Sequence, residues 1–197
     1  MRFTDENSFE VSASDPDVLN QKAGESLLKV EGYGDLYALL RTTATYARTK
    51  PNRVANDFKK KTAAMPTTTE AERLVVQRVG QGLFRDALLD YWQGKCCITG
   101  LNLPEVLRAS HIRPWAMCET DEQRLDVFNG LLLAPHLDAL FDVGLMTVSN
   151  DGTVLLSTSV TPTHQTLLGL PAGLVLHGLR GEHLAYLSFH QAMVWRG

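Results

Sequence analysis

Apolar residues recur at helical spacing through RLVVQRVGQGLFRDALLDYW, at Leu74, Val75, Val79, Leu83, Phe84, Ala87, Leu88 and Trp92, as an amphipathic helix requires. Just ahead, Thr69 and Glu72 have the spacing of a capping box. Gly80 and Gly82 interrupt the run, and glycine weakens a helix interior. The pattern therefore predicts two helices, at about 69–79 and 82–93. Upstream, DLYALLRTTATYAR (35–48) predicts a shorter amphipathic helix with Asp35 as its cap, stopped by Pro51. Residues 49–66 read as a basic connector, helical around Val54–Lys61 and ending at Pro66, where we place a domain boundary. Residues 1–34 are weakly patterned, with turn signals at Asp15-Pro16 and Gly32/Gly34.

From Cys96 the period changes. CCITG reads as a short strand into a turn, VLRASHI as a strand and GLLLA as another, with a loop of some 17 residues between the last two. A loop that long without structure of its own is usually functional or mobile. PHLDALFDVG predicts a helix opened by Pro135 and closed by Gly144. LMTVSNDGTVLLS predicts a hairpin turning at Asn150-Asp151-Gly152, HQTLLGL a helical turn, and GEHLAYLSFHQAMVW a terminal helix. The fold class is α+β, with an N-terminal region over 1–66 and a second domain over 67–197.

Bulk properties narrow the setting. A chain of 197 residues fits one domain, or one with a smaller appendage. No apolar run approaches the roughly 20 residues of a membrane span, and MRFTDENSFEVSASD has no apolar core of a secretory signal. Three cysteines make no disulfide framework, so we expect a cytoplasmic protein. The net charge of -3 hides an uneven distribution: residues 1–40 carry three basic and eight acidic side chains, residues 41–62 seven basic and one acidic. A basic segment in an acidic protein is either a solvated helix or an electrostatic footprint for nucleic acid.

The chemistry concentrates where strand, loop, strand and helix succeed one another. His111 ends the first strand, Asn129 opens the second, and His136 and Asp138 lie early in the helix. A hairpin packed on a helix lets His111, Asn129 and one or both of His136 and Asp138 converge. Imidazole and carboxylate ligands hold divalent cations, and a separate imidazole takes a proton from water at neutral pH. Metal plus general base is what phosphodiester hydrolysis needs.

The ordered blocks GQGLFRDALLDYW, CCITGLNLP, LRASHIRPW and RLDVFNGLLLAPHLDALFDVGL, from about Ala71 to Ser157, resemble the bacterial HNH endonuclease family. The resemblance implies a ββα-metal (His-Me finger) core at about 94–150, with flanking helices and a C-terminal hairpin and helix. It implies His111 as general base, Asn129 as its orienting partner or a metal-site residue, and Asp138, nine residues after the Asn, as a metal ligand. The cofactor would be Mg²⁺ or Mn²⁺, with Ni²⁺ or Zn²⁺ as alternatives. The partner would be nucleic acid, DNA ahead of RNA, with a homodimer or a partner subunit where both strands are cut. A restriction, phage-defence or mobile-element role follows only from where such proteins tend to occur.

Two positions depart from the pattern. Ser110 stands where many members have an acidic or His ligand before the general base, and Asp138 where many have His, with His136 two residues earlier. Residues two apart on a helix point about 200° apart, so both bind one ion only if the helix starts between them; the ligand assignment stays open, with register favouring Asp138 and His136 as a second ligand or phosphate contact. Asp142 shares the face of Asp138 and is a candidate supporting partner. Arg113, Lys95, Arg108 and Arg124 are candidate backbone contacts; Trp115 stacks on a base or buttresses the loop; Arg85 is expected to pair with an acid. Cys96, Cys97 and Cys118 lack the spacing of a structural zinc site. His164, His177, His183 and His190 read as ordinary hydrogen-bonded histidines. The competing readings are a non-catalytic nucleic-acid-binding module on the same scaffold and an RNA-cleaving effector.

Overall fold

In a computed structural model of the chain, the helix expected in two pieces runs unbroken from Glu70 to Tyr91. The structure describes residues 2–5, 8–13, 26–49 and 51–197. It divides into two compact units, Met1–Arg48 and Thr49–Gly197.

The first unit is an antiparallel sheet, β1 (Arg2–Asp5), β2 (Ser8–Ala13) and β3 (Ser26–Glu31), in that order. Helix α1 (Gly32–Thr49) follows directly. Asp35 lies inside its first turn rather than at its cap, where a carboxylate still favours the helix dipole. Gly32 and Gly34, expected in a turn, belong to the same first turn. The turn expected at Asp15-Pro16 lies outside the described residues.

The second unit opens with α2 (Pro51–Thr62), which starts at the proline that ends α1. The stretch placed before the boundary at 66 thus belongs to this unit. Val54, Ala55 and Phe58 of α2 are buried, and the helix packs on α3 (Glu70–Tyr91). The capping box of α3 is complete: the Thr69 hydroxyl accepts the Glu72 amide at 3.2 Å, and Glu72 accepts the Thr69 amide at 2.9 Å. Gly80 does not break α3. A Cβ there would sit 2.7 Å from the Trp115 ring and 3.2 Å from Phe58, so the glycine serves close packing.

CCITG forms turns, not a strand; the Cys97 amide donates to Leu132 O at 2.9 Å and the Cys97 carbonyl accepts the His177 amide at 2.8 Å. Strands β4 (Arg108–His111) and β5 (Gly130–Leu133) pair antiparallel, with His111 opposite Gly130 and Ser110 opposite Leu131. All of β5 is buried, and the bare face of Gly130 receives Phe84 and Leu88 of α3. The intervening loop has structure of its own: a 3₁₀ turn at Trp115–Met117, a short helix α4 (Asp121–Arg124) and a second 3₁₀ turn at Val127–Asn129. Helix α5 (Pro135–Asp142) has Pro135 in its first turn and packs on β4. A second antiparallel pair, β6 (Met146–Val148) and β7 (Val154–Leu156), precedes α6 (Pro162–Leu167) and α7 (His183–Met193), which packs on β6. Helices and small antiparallel sheets make this an α+β fold.

Candidate active site

β4 delivers His111 and Ser110 to one cleft of about 350 Å³, lined also by Trp115, Asp142 and His190. The His111 ring stacks on Phe84 at 3.8 Å and meets the edge of Trp115 at 5.5 Å. Its Nε2 lies 2.8 Å from the carbonyl oxygen of Arg124. A carbonyl only accepts, so Nε2 carries the proton and Nδ1 keeps its lone pair. Burial pushes the imidazole pKa down to about 4, partly opposed by that hydrogen bond. At neutral pH His111 is an uncharged acceptor.

On the other side of the cleft, the Ser110 hydroxyl donates to Asp138 Oδ1 and is also within hydrogen-bonding reach of Asp142. Asp138 sits in the first turn of α5 and Asp142 one turn on, so they share a face. Burial, and then the neighbouring Asp138 charge, push the Asp142 carboxyl above its ordinary value, against the Ser110 hydrogen bond. α5 starts at Pro135, so His136 and Asp138 diverge on one helix; of the α5 side chains Asp142 lines the cleft, Asp138 reaches it through Ser110, and His136 does neither.

Among the described residues, no three His, Cys, Asp or Glu side chains form a ligand cluster. A closed zinc site is therefore a poor fit. Two carboxylates and a hydroxyl suit a hard cation that keeps several waters, as Mg²⁺ does. A divalent cation would also relieve the repulsion between Asp138 and Asp142.

Asn129 is fully buried and spent on the loop. Its Oδ1 accepts the Arg113 amide at 2.7 Å. Its Nδ2 is shared among Gln123 O at 3.0 Å, Arg113 O at 3.3 Å and Cys118 Sγ at 3.4 Å. It clamps the two ends of the β4–β5 loop together.

Residues 96–149, less than half of the chain, match the family model of the HNH endonucleases. The chain carries an HNH endonuclease domain. The match points to nuclease activity and nucleic-acid binding in general terms, and HNH nucleases generally use divalent metal ions. No curated protein matches the chain.

Within the HNH domain, the two loop arginines are committed to the protein. Arg113 donates to Met117 O at 2.8 Å, pairs with Glu119 at 2.9 Å and lies 4.5 Å over the Phe189 ring. Arg124 pairs with Asp121 at 3.0 Å and donates to Cys118 O at 2.6 Å. Lys95 and Arg108 are exposed. Arg85 binds the carbonyls of Leu107 and Pro104, at 2.5 and 2.7 Å, in place of the expected acid. Trp115 buttresses His111 and takes the guanidinium of Arg124 at 5.8 Å from its ring centre. Cys96, Cys97 and Cys118 are buried thiols. The residues that motif spacing did not bring forward are Phe84 and the Arg124 carbonyl, neither of which leaves a signal in the sequence. Asp142, a candidate by its four-residue offset from Asp138, lines the cleft. Among the described residues, no helix is long and apolar enough to cross a membrane.

Proposed function

We propose that the chain is a metal-dependent endonuclease that hydrolyses phosphodiester bonds in DNA, with His111 as general base. The observation that carries this is the state of His111: held by Phe84 and the Arg124 carbonyl, neutral, and in a cleft that Asp142 also lines, with Asp138 hydrogen-bonded to Ser110, the residue before it. A neutral imidazole takes the proton of a water that attacks phosphorus. An anionic phosphate entering the cleft favours the imidazolium and raises the affinity of His111 for that proton as substrate binds. Asp138 and Asp142 would hold Mg²⁺ or Mn²⁺, with Ser110 orienting the first. The cation supplies charge stabilisation at the phosphate and at the departing 3′ oxygen, leaving 5′-phosphate and 3′-hydroxyl ends.

Attack by water does not use the 2′-hydroxyl, so DNA suffices as substrate. One such site cuts one strand, and a double-strand break requires a homodimer, a partner subunit or a second visit.

Nicking of supercoiled plasmid tests the proposal. Wild type should convert it to open circles with Mg²⁺ or Mn²⁺ and do nothing in EDTA. His111→Ala should be slower by about 10²–10⁴-fold. Equal cleavage by wild type and His111→Ala would remove His111 from the chemistry.

A further inference from the structure

The loop arginines nearest the cleft are consumed by the loop, which leaves the exposed Lys95 and Arg108 as the cations close to it. α2 supplies a larger group. It carries Arg53, Lys59, Lys60 and Lys61 against one acid, Asp57, and the lysines fill its last turn. Arg53, Lys60 and Lys61 are exposed and form no salt bridge among the described residues. Arg53 and Lys60 lie seven residues apart, on one line along the helix. That line faces away from the buried Val54, Ala55 and Phe58.

α2 is also fixed to the catalytic loop at two points. Phe58 and Trp115 both close on Gly80, and Trp115 touches the His111 ring edge. Lys59 pairs with Glu122 of α4 at 2.6 Å, two residues before the carbonyl that holds His111. The loop acids Glu119, Asp121 and Glu122 are each paired, with Arg113, Arg124 and Lys59. The loop acids beside α2 are thereby neutralised, and α2 keeps Arg53, Lys60 and Lys61 against its single acid, Asp57.

We infer that the exposed face of α2, through Arg53, Lys60 and Lys61, is a docking surface for the phosphate backbone of duplex DNA, rigidly registered to the cleft. This rests on the endonuclease reading and extends it: the HNH domain cuts, and the helix before it positions the strand. Contacts of this kind give affinity without sequence information and are strongly salt-dependent.

The test compares wild type with Arg53→Gln/Lys60→Gln/Lys61→Gln in the full chain. Lys59 stays intact so that the bridge to Glu122 survives. Binding to a fluorescent duplex is followed in EDTA as a function of salt, and hydrolysis of bis(4-nitrophenyl) phosphate with Mn²⁺ is followed in parallel. The triple variant should bind roughly tenfold more weakly, its log–log salt slope shallower by about 2–3. Its turnover of the small diester should match wild type. An unchanged affinity and slope would overturn the proposal even if the enzyme cuts DNA. Equal loss of small-diester turnover would also overturn it, since α2 would then be supporting the cleft. Tighter binding of duplex RNA than DNA, with the same loss in the variant, would overturn DNA as the occupant. Wild type that turns over neither the small diester nor plasmid, yet binds DNA through α2, would overturn the endonuclease reading and leave the docking surface.

Discussion

The Nε2 atom of His111 sits 2.8 Å from the carbonyl oxygen of Arg124, thirteen residues further along the chain. That carbonyl is in place because Asn129 holds the preceding one, Gln123 O, at 3.0 Å and ties it to Arg113 across the loop. The route from Asn129 to the reacting proton thus runs through backbone. Asn129→Ala should cost about 2–4 kcal/mol, because it strands several buried polar groups at once. Turnover should fall by roughly 100-fold as the ring loses its fixed orientation. Mn²⁺ affinity, measured by calorimetry on folded protein, should stay unchanged. A tenfold loss of Mn²⁺ affinity would instead make Asn129 a ligand.

Asp138 and Asp142 give the opposite pattern. Each should lower Mn²⁺ affinity about tenfold or more when changed to Asn, the usual scale for loss of a group at a metal site. His136→Ala, whose side chain leaves the helix on another side, should have little effect. In EDTA, Asp142→Asn should raise stability by a few tenths of a kcal/mol, because it removes a carboxylate pushed up by its neighbour. Equal metal affinity for wild type and Asp142→Asn would take Asp142 out of the site.

Much of this arrangement is legible in the sequence where local rules decide. Thr69 and Glu72 act within one turn, and the start of α5 at Pro135 needs only that residue's fixed φ. The strands around His111 and Gly130 announce themselves by apolar runs beside turn residues. The failures share a different cause. For Asn129 the sequence left two roles open, orienting the base or serving the metal site, because its partners, Arg113, Cys118 and Gln123, come from a loop whose path spacing does not reveal. The arginines looked free for the same reason: Glu119 and Asp121 are close in sequence, but only the folded loop turns them inward. CCITG has strand composition, yet its backbone bonds to Leu132 and His177 make no strand.

His183 and His111 should share most of the acid sensitivity of the fold. His183 is fully buried among Tyr91, Trp92 and Phe128, its Nδ1 beside the Arg180 backbone and its Nε2 without a hydrogen-bond partner among the described residues. Burial lowers its pKa to about 4, and the Arg180 charge works in the same direction. In the unfolded chain it titrates near 6.5. Between these values the unfolded state binds more protons, so stability present above about pH 6.5 is lost as pH falls toward about 4, on the order of 3 kcal/mol. His111 adds a similar contribution. Urea unfolding at about pH 7 and about pH 5 should show this slope, and His183→Phe should remove roughly half of it. An undiminished slope in His183→Phe would mean that other groups carry the acid transition.

Gly80 and Gly82 separate helix propensity from packing within one helix. Both lie inside α3, where alanine is favoured over glycine by about 0.8–1.0 kcal/mol. At Gly82 an added Cβ meets nothing within 4 Å, so Gly82→Ala should stabilise by about that amount. At Gly80 the same methyl lands 2.7 Å from the Trp115 ring and 3.2 Å from Phe58. Trp115 cannot retreat freely, because it is packed edge-on against His111 and under Arg124. Overpacking costs about 1–3 kcal/mol, which outweighs the propensity gain. Gly80→Ala should therefore be net destabilising in urea titrations, and it should slow plasmid nicking because the displaced Trp115 disturbs the base. A stabilised, fully active Gly80→Ala would show that Trp115 yields without cost, and that this contact does not hold His111.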